Sequence, residues 1–396
     1  MSNTSHEACL KRPHTFRRTA CLFALAALAA NAANAAQAAD AQADACLLAE
    51  LAAEPGFSGV ALLRQQGRTR VAAQGQSGSQ PLDVDSRLNI GSAGKMFTAV
   101  AVAQLVERQR LAWDAPVGRW VDGLTPAVAA VTLRQLLTHS GGLGNFFTPN
   151  HLQAMQAARS LEDLRRLAPD VEPAFAPGSR FQYANNGFLL LGLAAERASG
   201  QSFDAYLHEH VFTPAGMTAT SLSAQAPRPA AQGFTRAPAL EGGPRRAPPP
   251  GGMPPPEGGG RPPPPDGPLR PSAESQLPGS SAGGAFSTVG DLLRFFEALR
   301  AGRLVQQETL HELTRRQIEA MPGQLYGLGF GIPQWEGHIG FGHNGGAPGV
   351  NAEALVFPTD DVTLVVLSNG DPPSASEQMK KLRRGALAGT LCAMPG

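Results

Sequence analysis

Two pairs of short apolar segments lie near the two ends of the chain. Residues 57–63 and 68–73 flank a Gln-Gln-Gly turn, and residues 352–357 and 362–368 flank a Pro-Thr-Asp-Asp turn. Apolar runs of this length, joined by a few turn-forming residues, are typical of β-hairpins. The pattern therefore predicts one hairpin near each end of the chain.

The residues between these hairpins have mainly helical periodicity. Apolar side chains recur at three- and four-residue steps from Ser92 to Leu105, and residues 110–225 follow helical patterns that Pro and Gly interrupt. Thr288 precedes Asp291 by three residues at the start of another apolar helical stretch. This spacing is typical of a helix N-terminus.

Helical patterns also occur at the two ends. Residues 46–51 form a short one, and a longer one begins at Ser374-x-x-Glu377, the spacing of a capping box. The predicted fold class is therefore α/β (α+β), with an antiparallel sheet flanked by N- and C-terminal helices and an inserted, mostly helical domain. The sheet domain is assigned to residues 40–110 and 279–396, and the helical domain to residues 111–225.

Residues 226–278 differ in composition from the rest of the chain. They contain half of its 34 prolines, mixed with Gly-Gly pairs. Such a segment has few apolar side chains to bury, so we expect a disordered or polyproline-like insert. A tether, a lid and a binding tract are all open as its role.

Residues 1–39 have the pattern of a secretory signal peptide. Basic residues within positions 11–18 precede an apolar run over residues 20–30, and an Ala-Gln-Ala cleavage site follows at residues 36–38. The apolar run is shorter than the roughly 20 residues that span a bilayer, which favours cleavage over an uncleaved anchor. The predicted location is periplasmic or secreted, with no stable membrane anchor after cleavage.

Charge and cysteine content exclude several classes of function. The formal net charge is +1 without a long basic tract, so nucleic-acid binding is not predicted. The sequence has no Cys-x-x-Cys pair or Cys/His cluster, and neither a metal nor a cofactor is predicted. Signal cleavage would leave Cys46 and Cys392, which are candidates for a disulfide in an oxidising compartment or for two unpaired thiols.

Ser92 and Lys95 form the first candidate catalytic motif. Three residues are nearly one helical turn, so the lysine amine can lie beside the serine hydroxyl. A desolvated lysine with a lowered pKa can be the base that activates a serine. The alternative is a helix cap followed by a surface lysine, but the neighbours Ala93, Met96 and Phe97 are apolar and favour burial.

Tyr183 and Asn185 form the second motif, in a chain that has only three tyrosines. A phenol beside an ammonium group can have its pKa lowered and can shuttle protons. An asparagine amide offers a donor and an acceptor to a substrate amide. The segment can also be the turn before a helix over residues 188–193, with the asparagine as its cap, and the two interpretations are compatible.

His343, Gly345 and Gly346 form the third motif. Glycines on a strand let a ligand approach the backbone closely. A strand edge that carries His343 can bind an extended acyl substrate in the manner of an added strand. The alternative is a Gly-rich turn with an incidental histidine.

Ser-x-x-Lys, Tyr-x-Asn and His-x-Gly follow each other in this order along the chain. The set resembles the serine β-lactamase and penicillin-binding protein superfamily, especially its class C β-lactamases and D,D-carboxypeptidases. Residues 136–143, Leu-Leu-Thr-His-Ser-Gly-Gly-Leu, are similar to another signature of that family. The resemblance runs from about residue 57 to residue 369 and implies a β-lactamase/transpeptidase-like fold. That fold packs its terminal helices together, which agrees with a Cys46–Cys392 disulfide.

The resemblance implies a role for each matching residue. Ser92 would be the acylated nucleophile, Lys95 its base, and Tyr183 the group that serves the leaving group and the deacylating water. The backbone N–H groups of Ser92 and Gly346 would form an oxyanion hole. Asn185 would hold the amide of the substrate.

The third motif departs from that of the class C β-lactamases, in which a lysine stands where this chain has His343. An imidazole binds a substrate carboxylate less strongly than an ammonium group does. The resemblance therefore implies an acyl-enzyme mechanism on peptide (D-amino-acid) or ester substrates, with weak β-lactamase activity as an alternative. A further alternative is a catalytically silent relative that binds cell-wall peptides or a partner protein.

Overall fold

The computed structural model of the chain describes residues 46–391 apart from residues 48, 52, 54–55, 169–171 and 238–266. The predicted signal peptide, Cys392 and the centre of the Pro-rich segment lie outside the described residues. Signal cleavage and the Cys46–Cys392 disulfide therefore stay predictions. Among the described helices, none combines the length and the apolar composition that crossing a membrane requires.

The centre of the molecule is an eight-stranded antiparallel sheet. The strands in chain order are β1 (Gly59–Gln65), β2 (Arg68–Gln74), β3 (Gln76–Ser77), β4 (Gln80–Pro81), β5 (Leu88–Asn89), β6 (Phe234–Thr235), β7 (Arg270–Pro271), β8 (Phe286–Ser287), β9 (Ile318–Met321), β10 (Gln324–Tyr326), β11 (Gly331–Ile332), β12 (Gln334–Trp335), β13 (His338–Ile339), β14 (Phe341–Ala347), β15 (Val350–Phe357) and β16 (Val362–Ser368). The large sheet has the order β2-β1-β16-β15-β14-β11-β10-β9. Both predicted hairpins are confirmed as β1–β2 and β15–β16, and β1 pairs with β16, so the two ends of the chain meet.

Helices cover both faces of this sheet. In chain order they are α1 (Lys95–Glu107), α2 (Pro126–Ala129), α3 (Leu133–Leu137), α4 (Leu152–Ala157), α5 (Leu161–Arg165), α6 (Asn185–Ser199), α7 (Phe203–Leu207), α8 (Thr213–Ala215), α9 (Val289–Arg300), α10 (Gln307–Thr314) and α11 (Ser374–Leu387). The predicted cap of α9 is confirmed, because the N–H of Asp291 donates to the Thr288 hydroxyl at 3.0 Å. The predicted capping box of α11 is wrong, because Ser374 is already helical and its hydroxyl donates to Ser368 at 2.8 Å.

Side chains that alternate along the strands build two separate cores. On β16, Val365 belongs to the core that contains α1, whereas Leu364 and Val366 belong to the core on the other face. This alternation follows from the two-residue repeat of a strand. In α1 every residue from position 95 to position 105 is buried. Each fully buried Val or Leu contributes about 1.5–3 kcal/mol, so the two cores hold the sheet between its helical layers.

The second core joins the two ends of the chain. The described residues 46–47 and 49–51 are helical, and Leu47 and Leu51 pack in the same cluster as Met379 of α11. The side chain of Gln378 also donates to the carbonyl oxygen of Glu50 at 3.0 Å. The predicted packing of the terminal helices together against one face of the sheet is therefore confirmed.

The predicted disordered insert over residues 226–278 is too wide at both ends. Residues 226–237 and 267–278 are folded, and β6 pairs with β7. The physical reason is that these flanks dock on the sheet domain, where the N–H of Phe234 donates to the carbonyl oxygen of Asn369 at 2.7 Å. The rest of the segment lies outside the described residues.

Candidate active site

Ser92 lies where β5 leads into α1. It belongs to a short 3-10 helix, Gly91–Gly94, and strand β14 packs directly against this turn. A Cβ atom on Gly345 of β14 would overlap the carbonyl oxygen of Ile90 and would lie 2.7 Å from the Ser92 nitrogen. Only glycine therefore lets the strand approach the backbone of Ser92 this closely.

The side chain of Lys95 is completely buried beside Ser92. Its Nζ lies 3.2 Å from Ser92 Oγ, 2.6 Å from Asn185 Oδ1 and 2.5 Å from the carbonyl oxygen of Ala282. Burial lowers the pKa of the Lys95 amine well below its ordinary value, because the charged form loses its hydration. The predicted burial is confirmed, and the alternative of a surface lysine is wrong.

A neutral lysine amine has two hydrogens and one lone pair. In the neutral form of Lys95, Asn185 and Ala282 would accept its two N–H groups, and its lone pair would accept the hydrogen of the Ser92 hydroxyl. This arrangement can take a proton from the serine without first losing one to solvent.

Tyr183 lies next to this pair, ahead of α6. Its ring centroid is 4.8 Å from Lys95 Nζ, and its phenolic oxygen is buried without a hydrogen-bond partner among the described residues. The expected lowering of its pKa is wrong: burial raises the pKa of the phenol, and the nearby Ser92 hydroxyl offsets this only in part. The physical reason is that the phenol is itself buried, and a phenolate there would lose its hydration.

Asn185 connects the lysine to a loop residue that the sequence did not single out. Its Oδ1 accepts from Lys95, and its Nδ2 donates to Asn145 Oδ1 at 2.9 Å. Asn145 therefore fixes which end of the Asn185 amide faces the lysine. The expected role of Asn185 as a helix cap is wrong, because Ala184 occupies the N-cap position of α6. Asn145 carries no pattern that marks it, because its contact spans 40 residues of chain.

His343 points into the protein from strand β14, and only 3% of it is exposed. Its Nε2 lies 2.8 Å from the Tyr326 hydroxyl, and its Nδ1 lies 2.5 Å from the carbonyl oxygen of Asn344. Burial lowers the pKa of His343 to about 3, with a smaller contribution from Lys95 when that amine carries a proton. The alternative of a Gly-rich turn is wrong, because the motif lies within a strand.

The third motif brings a backbone nitrogen to the Ser92 turn. A Cβ atom on Gly91 would lie 3.0 Å from the nitrogen of Gly346, so the nitrogens of Ser92 and Gly346 belong to one small region. The side chain of Asn351 holds this part of β14 by donating to the carbonyl oxygen of Gly345 at 3.0 Å. The backbone nitrogens of Ser92 and Gly346 therefore stay the candidates for an oxyanion hole.

Two further buried side chains lie beneath Tyr183. The ring of His139 is tilted against the ring of Tyr183 with centroids 4.3 Å apart, and its Nδ1 accepts from the N–H of Ala184 at 3.2 Å. The Tyr326 hydroxyl lies 3.3 Å from His139 Nε2. The only sequence signal for His139 was its place in a family-like phrase, and Tyr326 had none.

Comparison with known proteins gives the site a family context. The family model described as Beta-lactamase matches residues 45–388. Esterase EstB of Burkholderia gladioli is 30% identical over 278 residues, which cover 64% of this chain and 67% of the esterase. Penicillin-binding protein 4 of Amycolatopsis lactamdurans is 26% identical over 307 residues, which cover 72% of this chain and 73% of that protein.

Solved structures share the architecture. The penicillin binding protein from Bacillus halodurans is 28% identical with a TM-score of 0.71, over 83% of this chain and 95% of that one. The D-amino acid amidase from Ochrobactrum anthropi SV3 is 23% identical with a TM-score of 0.69, over 88% of this chain and 99% of that one. At 23% identity, the similarity to the amidase shows a shared fold and nothing about function. The predicted β-lactamase/transpeptidase-like fold is confirmed.

Proposed function

Because the chain belongs to the beta-lactamase family, we propose that it is a serine hydrolase that forms an acyl-enzyme on Ser92 and acts on ester or peptide (D-amino-acid) substrates. The observation that carries this proposal is the completely buried Lys95, whose amine lies 3.2 Å from Ser92 Oγ. A serine is a weak nucleophile unless a base of this kind accepts its proton.

Acylation begins when Ser92 Oγ attacks the carbonyl carbon of the substrate and its proton passes to Lys95 Nζ. The N–H groups of Ser92 and Gly346 bind the resulting oxyanion, and one such donor is worth about 3–4 kcal/mol. As the bond to the leaving group breaks, Tyr183 donates its phenolic proton to the leaving oxygen or nitrogen and recovers a proton from Lys95. The raised pKa of Tyr183 supports this role, because the phenol stays protonated at neutral pH.

Deacylation uses the same groups in the opposite direction. A water molecule attacks the acyl carbon while Lys95 Nζ takes its proton, which Lys95 then returns to Ser92 Oγ. The bond to Ser92 Oγ then breaks, the serine regains a hydrogen, and the product leaves as a carboxylic acid. Asn185 holds Lys95 in place throughout by accepting from its amine at 2.6 Å.

The state of His343 bears on the substrate. Its ring is buried and already bonded to Tyr326 and Asn344, so it supplies no charge for a substrate carboxylate. This ranks esters first, in agreement with the similarity to Esterase EstB. Peptides of D-amino acids come second, supported by a D-aminopeptidase of Cereibacter sphaeroides that is 29% identical over 157 residues. Weak β-lactamase activity comes last.

Export is a separate part of the proposal and depends on the signal-peptide pattern of residues 1–39. Expression in a Gram-negative host should yield a periplasmic protein whose N-terminus, read by intact-mass spectrometry, lies near residue 39. A protein that stays in the cytoplasm with its first residues intact would contradict export and leave the hydrolase proposal untouched.

A fluorophosphonate probe tests the nucleophile. Intact-mass spectrometry should show one adduct on the purified protein, and peptide mapping should place it on Ser92. The adduct should disappear in Ser92→Ala and persist in Ser179→Ala, because Ser179 is exposed outside the site. A folded protein that forms no adduct would contradict the enzyme proposal and favour the silent binding module. Labelling by a fluorescent penicillin would move the substrate assignment toward cell-wall peptides.

A further inference from the structure

Three buried side chains form a continuous hydrogen-bonded chain beneath the site. His139, Tyr326 and His343 are 1%, 0% and 3% exposed. At one end the N–H of Ala184 donates to His139 Nδ1 at 3.2 Å. The Tyr326 hydroxyl then lies 3.3 Å from His139 Nε2 and 2.8 Å from His343 Nε2. At the other end His343 Nδ1 lies 2.5 Å from the carbonyl oxygen of Asn344.

With both imidazoles neutral, the backbone groups at the two ends of this hydrogen-bonded chain determine the position of each hydrogen between them. A backbone N–H can only donate and a backbone carbonyl can only accept. Because Ala184 donates to His139 Nδ1, the ring hydrogen of His139 is on Nε2 and donates to Tyr326. The Tyr326 hydroxyl then donates to His343 Nε2, so the hydrogen of His343 is on Nδ1 and donates to Asn344. One order of hydrogens satisfies every bond in the chain.

We infer that His139 and Tyr326 are positioning residues that hold His343 as its neutral Nδ1–H tautomer and connect the Tyr183 segment to strand β14. An extra proton on His139 would face the N–H of Ala184, and one on His343 would leave the hydrogen of the Tyr326 hydroxyl without an acceptor in the chain. Burial acts in the same direction, because it lowers the pKa of both histidines. The tautomer stands on the geometry alone, and only its effect on rates rests on the proposed function.

His139 also holds the backbone on both sides of Tyr183. Its carbonyl oxygen accepts from the N–H of Gln182 at 2.8 Å, while its ring accepts from the N–H of Ala184. The left-handed backbone of His139, with φ of 55°, directs both groups to the same segment. A shift of His343 and β14 is therefore transmitted through Tyr326 and His139 to the catalytic phenol.

The charged and titratable groups around His343 come from both faces of the sheet. On the buried face these groups are Lys95, Tyr183, His139 and Tyr326. On the other face His343 borders a cavity of about 310 Å³, whose charged lining residues are Glu353, Lys380 and Arg383. Among these groups, Lys95 lowers the pKa of His343 whenever its amine carries a proton. Loss of the Tyr326 hydroxyl removes a donor that favours the neutral ring, so the pKa of His343 should rise.

Nitrogen-15 NMR of the full-length protein labelled on histidine tests the tautomers directly. His343 should show a protonated Nδ1, and His139 a protonated Nε2. Both patterns should stay unchanged between about pH 5 and 8, where an unperturbed imidazole titrates. The variants His343→Gln and His139→Asn assign the signals, and the exposed His208 is the internal reference. The opposite tautomer at either ring, or titration of either ring in this range, would overturn the inference whether or not the protein is a hydrolase.

Kinetics of Tyr326→Phe test the positioning role. We expect kcat to fall at least about tenfold, because the variant removes both hydrogen bonds of the Tyr326 hydroxyl. The pH profile should also gain an acid-side loss that follows the imidazole of His343. Tyr206→Phe is the matched control, because Tyr206 is equally buried but bonds Arg108 away from the site. A wild-type rate and pH profile in Tyr326→Phe would contradict the role.

His139→Asn gives a second variant in case Tyr326→Phe does not fold. Asparagine tolerates the left-handed backbone and can accept from the N–H of Ala184, but it is too short to reach Tyr326. It should lower kcat and leave KM unchanged, because the Tyr183 segment is then no longer tied to Tyr326 and strand β14. Tyr326 still donates to His343 in this variant, so no acid-side loss is expected. A wild-type kcat in this folded variant would also overturn the positioning role.

Discussion

At the scale of single residues, the acid and base assignments follow from burial. Lys95 has no exposed surface, and this burial lowers the pKa of its amine well below the ordinary value. Tyr183 is buried beside it, which raises the pKa of its phenol and keeps it an acid. Opposite shifts in two neighbouring groups are what proton transfer in both directions requires.

Replacing Lys95 with arginine should remove the base and keep the length of the side chain. We expect kcat on a p-nitrophenyl ester to fall about 10²–10⁴-fold, the usual contribution of a general base, because a guanidinium does not lose its proton. Lys381→Arg on the exposed side of α11 is the control and should keep full activity. A Lys95→Arg variant with wild-type kcat would exclude lysine as the base.

The pH dependence of kcat/KM should report the ionisation of Lys95. The amine acts only when it is unprotonated, so activity should fall as the pH drops through the lowered pKa of Lys95 and stay level toward alkaline pH. The raised pKa of Tyr183 keeps the phenol protonated over the same alkaline range. The measurement is a profile with an uncharged ester. Activity that appears only near pH 10.5, the ordinary pKa of lysine, would contradict the assignment.

Some residues of the site could be predicted from the sequence and others could not. Ser92 and Lys95 lie within one short motif, so local spacing was enough to find them. Tyr326 and His139 touch across 187 residues of chain, and no local pattern marks such a contact. The direction of the pKa shift of Tyr183 was mispredicted because it depends on the burial of the phenol, which the local sequence does not reveal.

At the scale of elements, the site depends on the packing of strand β14 against the turn that carries Ser92. Gly345→Ala should separate the two, because its Cβ would overlap the carbonyl oxygen of Ile90. We expect kcat to fall at least about 10²-fold, as when an oxyanion-hole donor is lost. Gly331→Ala on the neighbouring strand β11 is the control, because its nearest contact would be 3.5 Å. Equal kcat values for the two variants would contradict this account.

Helices and strands were predicted well where the apolar pattern continues over many residues. The positions at which they begin were predicted poorly. The hairpins β1–β2 and β15–β16 follow from two continuous apolar runs each. The start of α11 was mispredicted because Ser374 has a stronger partner in Ser368 than in its own helix. The Pro-rich composition hid strands β6 and β7, which are held by pairing with each other and by docking on residues distant in sequence.

At the scale of the whole molecule, the flanks of the Pro-rich segment close on each other. The side chain of Arg270 donates to the carbonyl oxygen of Ala237 at 3.0 Å, and Arg236 donates to that of Gly267 at 3.2 Å. The two ends of residues 238–266 are therefore near neighbours. A short linker can join them without moving the sheet domain.

Replacing residues 238–266 with a Gly-Ser linker of about six residues should preserve the fold. The free energy of unfolding should stay the same or rise by about 1.4 kcal/mol, because a shorter loop costs less entropy to close. Urea unfolding measures this, with a Gly-Ser linker of the original length as the control. A loss of stability confined to the short linker would show that the segment contributes contacts of its own.

The central claim is a covalent acyl-enzyme on Ser92, and its most direct test is to trap that intermediate during turnover. Purified protein would be acid-quenched while it hydrolyses p-nitrophenyl acetate, then digested and mapped by mass spectrometry. We expect one added acetyl group on the peptide that contains Ser92 and no added acetyl group in Ser92→Ala. Turnover without an acetylated Ser92 would contradict the acyl-enzyme on Ser92. An acetyl group on another residue, whose replacement abolishes both the acetylation and the activity, would contradict it as well.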